Sequence, residues 1–543
     1  MRPPPAVLLV LGLALLLAFQ YQPDSFQPGA HGFLSAHGLA IAAHLSPDQG
    51  FLMLNRMTRS DEEGIQFEAY SGFPIGAFAA IRLVTLPFGS DLAAQIVAAR
   101  CLMLLFFVAA AVLAYMSICR VTQDRLVAAA ATMLAFSSYY CLYYDDMIFN
   151  DVPALFGLLL TFHAIVVFGE DGRVTPLALK SCGALFLGFQ VYGLLLPFVV
   201  LSCVGALIEG RSGRQIVRGP FVAVGLLSLL CGAAILGGNL ATERRALNRS
   251  FRELPSVQRM EWRLGLAAAE AYREFTPSLV WSGFFKDQLY RIGKMSIPQT
   301  LRRFKTVPRL PEGLRPSAAR KSPAPPSTGP LAPFPAGSTT GSTARSTEDL
   351  SLPVQALGGL ALVVAVIGAA LTTQRIAALS LVLSGLCWAI PMRHFVAFHE
   401  FQSLYYIGIP LALFCVVGKL AQRLAPFGLQ ALLGAALLIL IFSVRDMNEA
   451  KAVAAREDTE TVTLTADFQR IRDVVGEGRT IFIDGGGQSL GGPGHAVAFY
   501  LARNHFQERR EGAQFLISAL RSDDPGRPSL TPLNSRVFLY GNE

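Results

Sequence analysis

Long apolar runs recur along most of this chain, separated by short basic connectors, and they leave it few ways to fold. Of 543 residues, 52% are hydrophobic and only 15% charged. The mean hydropathy is +0.44. A run of about 20 apolar residues spans a bilayer as a helix, because hydrocarbon offers no partner to an unpaired backbone group. The expected fold class is therefore α: a polytopic transmembrane helical bundle of about 11 spans, with surface helices and a small C-terminal α/β domain. Spans are placed near 5–20, 94–118, 126–144, 152–168, 177–192, 193–208, 220–238, 353–372, 376–391, 403–418 and 429–443. The first run lacks a small-x-small cleavage site and reads as a retained helix. The eight cysteines lie in or beside apolar runs, with no zinc spacing and no disulfide framework.

The connectors set the orientation. With the N-terminus inside, the inner loops hold Arg120 and Arg125, then Arg173, then Arg211, Arg214 and Arg218, then Arg375, then Lys419 and Arg423. Short cytoplasmic loops rich in Lys and Arg are the positive-inside pattern. One apolar run, Phe73 to Gly89, is short, bounded by prolines and interrupted by Arg82. It is expected to lie on the outer surface, since counting it as a span would invert the pattern downstream.

The polar material then falls on the outer face of a plasma (inner) membrane. It comprises residues 21–93, the loop at 145–151, residues 239–352, residues 391–402 and a C-terminal domain at 444–543. Residues 1–443 form the membrane module. The long loop carries 18 Lys and Arg against 9 Asp and Glu between Asn239 and Asp349, a balance of +9. Its first half, to Phe304, mixes apolar and basic residues at helical spacing, suited to a lipid headgroup or to unspecific adhesion on anionic lipid. Residues 306–349 are rich in Pro, Ser and Gly and read as a flexible tether. In the C-terminal domain an apolar strand precedes a glycine-rich turn and an amphipathic helix, and "SRVFLYGNE" supplies a closing strand. The turn matches no phosphate-loop spacing, and no catalytic role is assigned there.

The most unusual stretch is "SSYYCLYYDDMIFNDVPALFG", Ser137 to Gly157. It sets Asp145, Asp146, Asn150 and Asp151 among tyrosines, between two apolar runs. An N-cap role accounts for Asp151 alone, ahead of Val152 and Pro153. It accounts poorly for adjacent Asp145 and Asp146, whose like charges repel at a low-dielectric boundary. On a helical turn Asp146 and Asn150 would share a face, with Asp151 beside them. Such a group would serve as a base, or would ligate Mg²⁺ or Mn²⁺ through oxygen at Asp145 and Asp146.

Taken together, a first span leading to a long outer segment, the aromatic-proline element "YSGFPIG" at Tyr70, a second acidic outer loop and a closing outer domain resemble the GT-C superfamily of integral-membrane glycosyltransferases. "DVPALFG" from Asp151 looks like the Asp-led start of a span in protein O-mannosyltransferases. "YYDDM" from Tyr143 looks more like the acidic region of oligosaccharyltransferases, with the aspartates adjacent instead of spaced. Aminoarabinose transferases belong to the same superfamily. The first outer loop departs from the pattern: where the family places an Asp or Asp-Glu, this chain has "PDSFQPGAHGF", offering Asp24 or His31. The resemblance further implies that Arg393, His394 and His399 contact a lipid-linked phosphate, although an anchored helix end explains them too.

What the resemblance implies is an inverting transferase that moves a sugar from a polyprenyl-phosphate-linked donor to a glycan, lipid or protein acceptor, with no nucleic-acid partner. Its expected catalytic residues are Asp146, Asp151, Asp24 and His31. Two rivals remain, a transporter or flippase of lipid-linked sugars and a non-catalytic scaffold. Transporters place charges near the membrane midplane and show repeated halves. Neither feature is found here.

Overall fold

The computed structural model describes residues 30–45, 53–60, 64–217, 219–266, 281–301, 352–457, 470–483, 504–507, 512–518, 530 and 538–541. The expected first span, Asp24, the tether and the glycine-rich turn lie outside the described residues.

The segment before the first long helix folds as helix α1 (Ala30–His44), the hairpin β1 (Leu54–Ser60) and β2 (Gly64–Ala69), and helix α2 (Gly76–Thr85). At ten residues, α2 reaches only about 15 Å and is too short to cross a bilayer. It buries Phe78 and Ile81 and leaves Leu83 exposed. This agrees with a helix that packs on the bundle instead of spanning. Next come α3 (Leu92–Thr122), α4 (Arg125–Phe136), the single turn and a half of α5 (Tyr139–Tyr144), α6 (Asp151–Asp171), α7 (Val174–Leu187), α8 (Tyr192–Ile208) and the short α9 (Gly213–Val217). The long loop contributes the end of α10 (Pro220–Leu247), then α11 (Pro255–Leu264) and α12 (Trp281–Met295). Then follow α13 (Leu352–Ala370), α14 (Arg375–Ala389), the short connecting helix α15 (Arg393–Phe398), α16 (Gly408–Leu424) and α17 (Gly428–Glu457).

Local chemistry explains several boundaries. Asp91 caps α3 by accepting from Ala94 N at 3.0 Å, and Asp124 caps α4 from Leu126 N and Val127 N. Gly172 ends α6 at a φ of +67°, a conformation that an L side chain strains to adopt.

Among the described residues, six helices are long and apolar enough to cross a membrane. The count is seven if the 3₁₀ turn Glu400–Tyr406 and α16, bent by 44°, form one span. Four shorter apolar helices, one of them α2 with its trailing turn, do not pass on length. The chain is thus an integral-membrane helical bundle, with a length-based count below the expected eleven. Expected spans break where polar or glycine residues interrupt the helix, as at Ser137–Ser138 between α4 and α5, and at Gly188 after α7.

The small sheet has an origin that was not expected. Its order is β2-β1-β4-β3-β5-β6, with β3 (Thr480–Ile483), β4 (His505–Gln507), β5 (Phe515–Ser518) and β6 (Phe538–Gly541). Strand β1, from the segment before the first long helix, pairs in parallel with β4, with Thr58 opposite Phe506. The C-terminal strands and the hairpin therefore share one sheet. Helix α17 also runs without interruption through the expected domain boundary at 443/444.

Candidate active site

The acidic stretch is not one helical turn. Helix α5 stops at Tyr144, residues 145–150 form a tight connection, and α6 starts at Asp151 with Asn150 in the cap position. Asp146 and Asn150 therefore do not share a helical face as expected, and the cap belongs to Asn150. The connection is buried from Tyr139 through Val152, in contrast to a solvated loop. Helix α1 lies against it: Ile148 N donates to Ser35 Oγ at 3.1 Å. A Cβ placed on Gly38 would come within 2.1 Å of Ile148 O, so only glycine permits this approach. Behind α5, Gln299 N donates to Ser137 O at 2.8 Å.

Asp145 and Asp146 are held by two cations from distant parts of the chain. Lys451 Nζ, on α17, donates to Asp145 Oδ1 at 2.9 Å and to Asp146 Oδ1 at 3.2 Å. Arg100 Nε, on α3, donates to Asp146 Oδ2 at 2.9 Å, and its Nη2 reaches the same oxygen. All four side chains are almost completely buried. Burial pushes the Asp146 carboxyl up, but Arg100 and Lys451 outweigh this and hold it below the usual carboxylate range. Burial raises Asp145 to about 7, with Lys451 opposing the shift and Asp146 adding to it. Among the described residues no group of three or more His, Cys, Asp or Glu is arranged to hold a metal ion. The expected Mg²⁺ or Mn²⁺ ligands, Asp145 and Asp146, thus already have cationic partners, and among the described residues the donor set does not fit a divalent metal.

Asp151 is different. Tyr405 Oη donates to its Oδ1, while Oδ2 has no hydrogen-bond partner among the described residues. Neighbouring Asn150 is fully buried with both amide atoms unpartnered in the same sense. Unmatched buried polar atoms are costly, and groups of them mark places where a ligand or water completes the bonding. The Tyr405 ring lies 6.4 Å from Trp388, whose Nε1 donates to Gln402 Oε1 at 2.8 Å.

Trp388 also lines a narrow crevice with Gln190, Gly72, Phe73, Arg263 and Phe395. The Arg263 guanidinium is sandwiched there, 4.5 Å from the Phe73 ring centre and 4.6 Å from that of Phe395. Its Nη1 donates to Gly72 O at 3.0 Å. Both amide atoms of buried Gln190 lack partners among the described residues. The "YSGFPIG" element is fixed by close approaches. Beyond the bond to Gly72, Ser71 N donates to Ser256 Oγ at 2.9 Å, and a Cβ on Gly76 would clash with Phe186 O at 2.2 Å.

The structure brings Arg393, His394 and His399 to this same end. Arg393 lies over the Trp281 ring at 5.2 Å, and His394 approaches Gly265. The His394 imidazole is lowered by burial and by Arg393. His399 is pushed down to about 3, by burial and then by Arg263 and Arg291, so both histidines are neutral near pH 7. His31 lies on α1, with its side chain outside the description.

Sequence reasoning missed Arg100, Lys451, Arg263 and Gln190. A lone arginine in "QIVAARCLMLLFF" was a usable signal, since a charge within an apolar span needs a partner. Gln190 carried none.

No family model matches the chain, and no curated protein matches it. Several solved structures are similar in fold. One is the archaeal oligosaccharyltransferase AglB from Archaeoglobus fulgidus, in complex with an inhibitory peptide and a dolichol-phosphate. It is 10% identical over 95% of this chain and 69% of that one, with a TM-score of 0.46. Another is ArnT from Cupriavidus metallidurans bound to undecaprenyl phosphate, 11% identical over 99% of this chain and 98% of that one, with a TM-score of 0.47. The apo form of the Archaeoglobus fulgidus oligosaccharyltransferase is 11% identical over 92% of this chain and 64% of that one, with a TM-score of 0.49. At such identities and TM-scores no residue role is carried over from them.

Proposed function

We propose that this protein is an inverting glycosyltransferase that moves a sugar from a polyprenyl-phosphate-linked donor to an acceptor hydroxyl at the outer membrane face. One observation carries the reading. A buried carboxylate, Asp151, whose second oxygen has no hydrogen-bond partner among the described residues, stands at the same end of the bundle as a cationic set of Arg263 and Arg393. Transfer from a lipid phosphate needs both functions: a base for the incoming hydroxyl, and donors for the departing phosphate. An arginine fork suits phosphate oxygens, and the neutral imidazoles of His394 and His399 add hydrogen-bonding capacity without charge. Tyr405 holds Asp151 by one oxygen and leaves the other to accept the acceptor's proton. Asn150 and Gln190, whose amide atoms lack partners among the described residues, would bond sugar hydroxyls. Asp146, engaged by two cations, holds the loop in this reading instead of taking a proton.

The test is direct. Purified protein is incubated with a polyprenyl-phosphate-linked sugar and a hydroxyl acceptor, and released polyprenyl phosphate is measured. Asp151→Asn should lower turnover by roughly a hundred- to ten-thousand-fold, the usual worth of general-base catalysis, while thermal unfolding stays near wild type. Wild-type turnover in Asp151→Asn would move the base to Asp24 or His31. Absence of release from any polyprenyl-linked sugar would end the reading.

A further inference from the structure

Two adjacent carboxylates buried side by side need positive charge, and the chain supplies it from two places. Arg100 comes from α3, 46 positions before Asp146. Lys451 comes from α17, 306 positions after Asp145. The Lys451 ammonium sits between the two aspartates and contacts one oxygen of each, at 2.9 and 3.2 Å. That is the place a divalent cation bridging both carboxylates would take, as hard cations bind oxygen sets of this kind. Among the described residues the two carboxylates already meet two cations, so no net negative charge is left over. A divalent metal added to the four would leave an uncompensated double charge in a buried setting, which is strongly unfavourable.

We propose that Lys451 is the resident cation of the acidic loop: it takes the place of a bound divalent metal between Asp145 and Asp146. The shape of residues 145–150 is then set by the helix that leads into the C-terminal strands. The position of Lys451 fits this role. It lies past the apolar part of α17, yet only 1% of it is exposed. Snorkelling would carry so long a side chain out to water unless a partner inside held it. The same helix is fastened nearby, where Thr300 N donates to Ser443 Oγ at 3.0 Å. The inference concerns the loop's architecture and stands apart from the reaction proposed above.

The experiment uses the full chain, purified in detergent, and two thermal-unfolding measurements. In the first, wild type is stripped with EDTA and then given Mn²⁺. The midpoint should not move on account of the loop, and any shift that persists in Asp145→Asn comes from another site and agrees with the proposal. A metal-dependent shift that Asp145→Asn abolishes would overturn it. In the second, Lys451→Met should lower the midpoint by several degrees, because it strands a buried carboxylate. Adding Asp145→Asn to that variant should recover most of the loss, which a packing role for Lys451 would not produce. If Lys451→Met melts as wild type, or if the double variant melts no higher than Lys451→Met, the proposal fails. Should Lys451→Met not fold, recovery of a folded protein in the double variant is the expected result, and failure of both to fold counts against it.

Discussion

His399 shows how far a residue's behaviour departs from its type. Its ring packs 4.3 Å from Phe395 and 4.9 Å from Phe401, and its carbonyl accepts from Arg291 Nη1 at 2.8 Å. Burial, then Arg263 and Arg291, push the imidazole down to about 3, against an ordinary value of about 6.5. Between those values the unfolded chain binds a proton that the folded chain refuses, so the fold loses stability as pH falls through that window. The contribution is fully present above about pH 6.5 and is lost progressively toward pH 3. His399→Gln should therefore show a smaller fall in unfolding midpoint than wild type between about pH 7 and about pH 4.5. Parallel curves for the two proteins would show that His399 is not the titrating group. Other residues divide by how local their cause is. The oddity of Asp145, Asp146 and Asp151 was legible because three carboxylates among tyrosines contradict their surroundings. Their division of labour was not, because it depends on Lys451 and Tyr405, each more than 250 positions distant.

At the scale of elements, the apolar runs gave the helices their places, and the breaks within them were harder to read. The interruption at Ser137–Ser138 looks minor in sequence, yet it turns one expected span into α4 and the buried α5. The segment before the first long helix shows the opposite failing. Its strands, "LNRMTRS" and "GIQFEA", alternate too weakly to announce a hairpin, yet they pair with each other and β1 pairs with β4 through Thr58 and Arg59. Where α1 meets the acidic loop, the contact depends on a missing side chain. Gly38→Ala would put a methyl group 2.1 Å from Ile148 O, and overpacking of this sort costs about 1–3 kcal/mol. We expect a lower unfolding midpoint and faster proteolysis between α5 and α6. Gly434→Ala, which meets nothing within 4 Å, is the control and should be close to neutral. Equal behaviour of the two variants would show that α1 moves freely against the loop.

For the whole molecule, bonded helix ends sort into two groups. In one, Arg120 pairs with Glu170, Gln374 Nε2 donates to Glu170 at 3.5 Å, and Lys419 lies 3.5 Å from Asp124. These residues come from the connectors that the basic pattern assigns to the inside. In the other group are Arg100, Asp145, Asp146, Asp151, Tyr405 and Lys451, together with the helix that enters the C-terminal strands. The acidic loop and the C-terminal sheet therefore belong to one end of the bundle, and Arg472 Nη1 extends the link by donating to Ser90 O at 2.7 Å. Which end faces out rests on the positive-inside pattern alone. The prediction is that single cysteines at Asp473 and Ser212, both exposed and placed in a chain whose native cysteines are replaced, label differently in intact cells. A membrane-impermeant maleimide should modify Asp473→Cys and reach Ser212→Cys only after the membrane is opened. The reverse result would turn the whole bundle over and put the acidic loop inside. Labelling of both in intact cells would break the grouping itself, because one set of buried ion pairs cannot face both sides of a membrane.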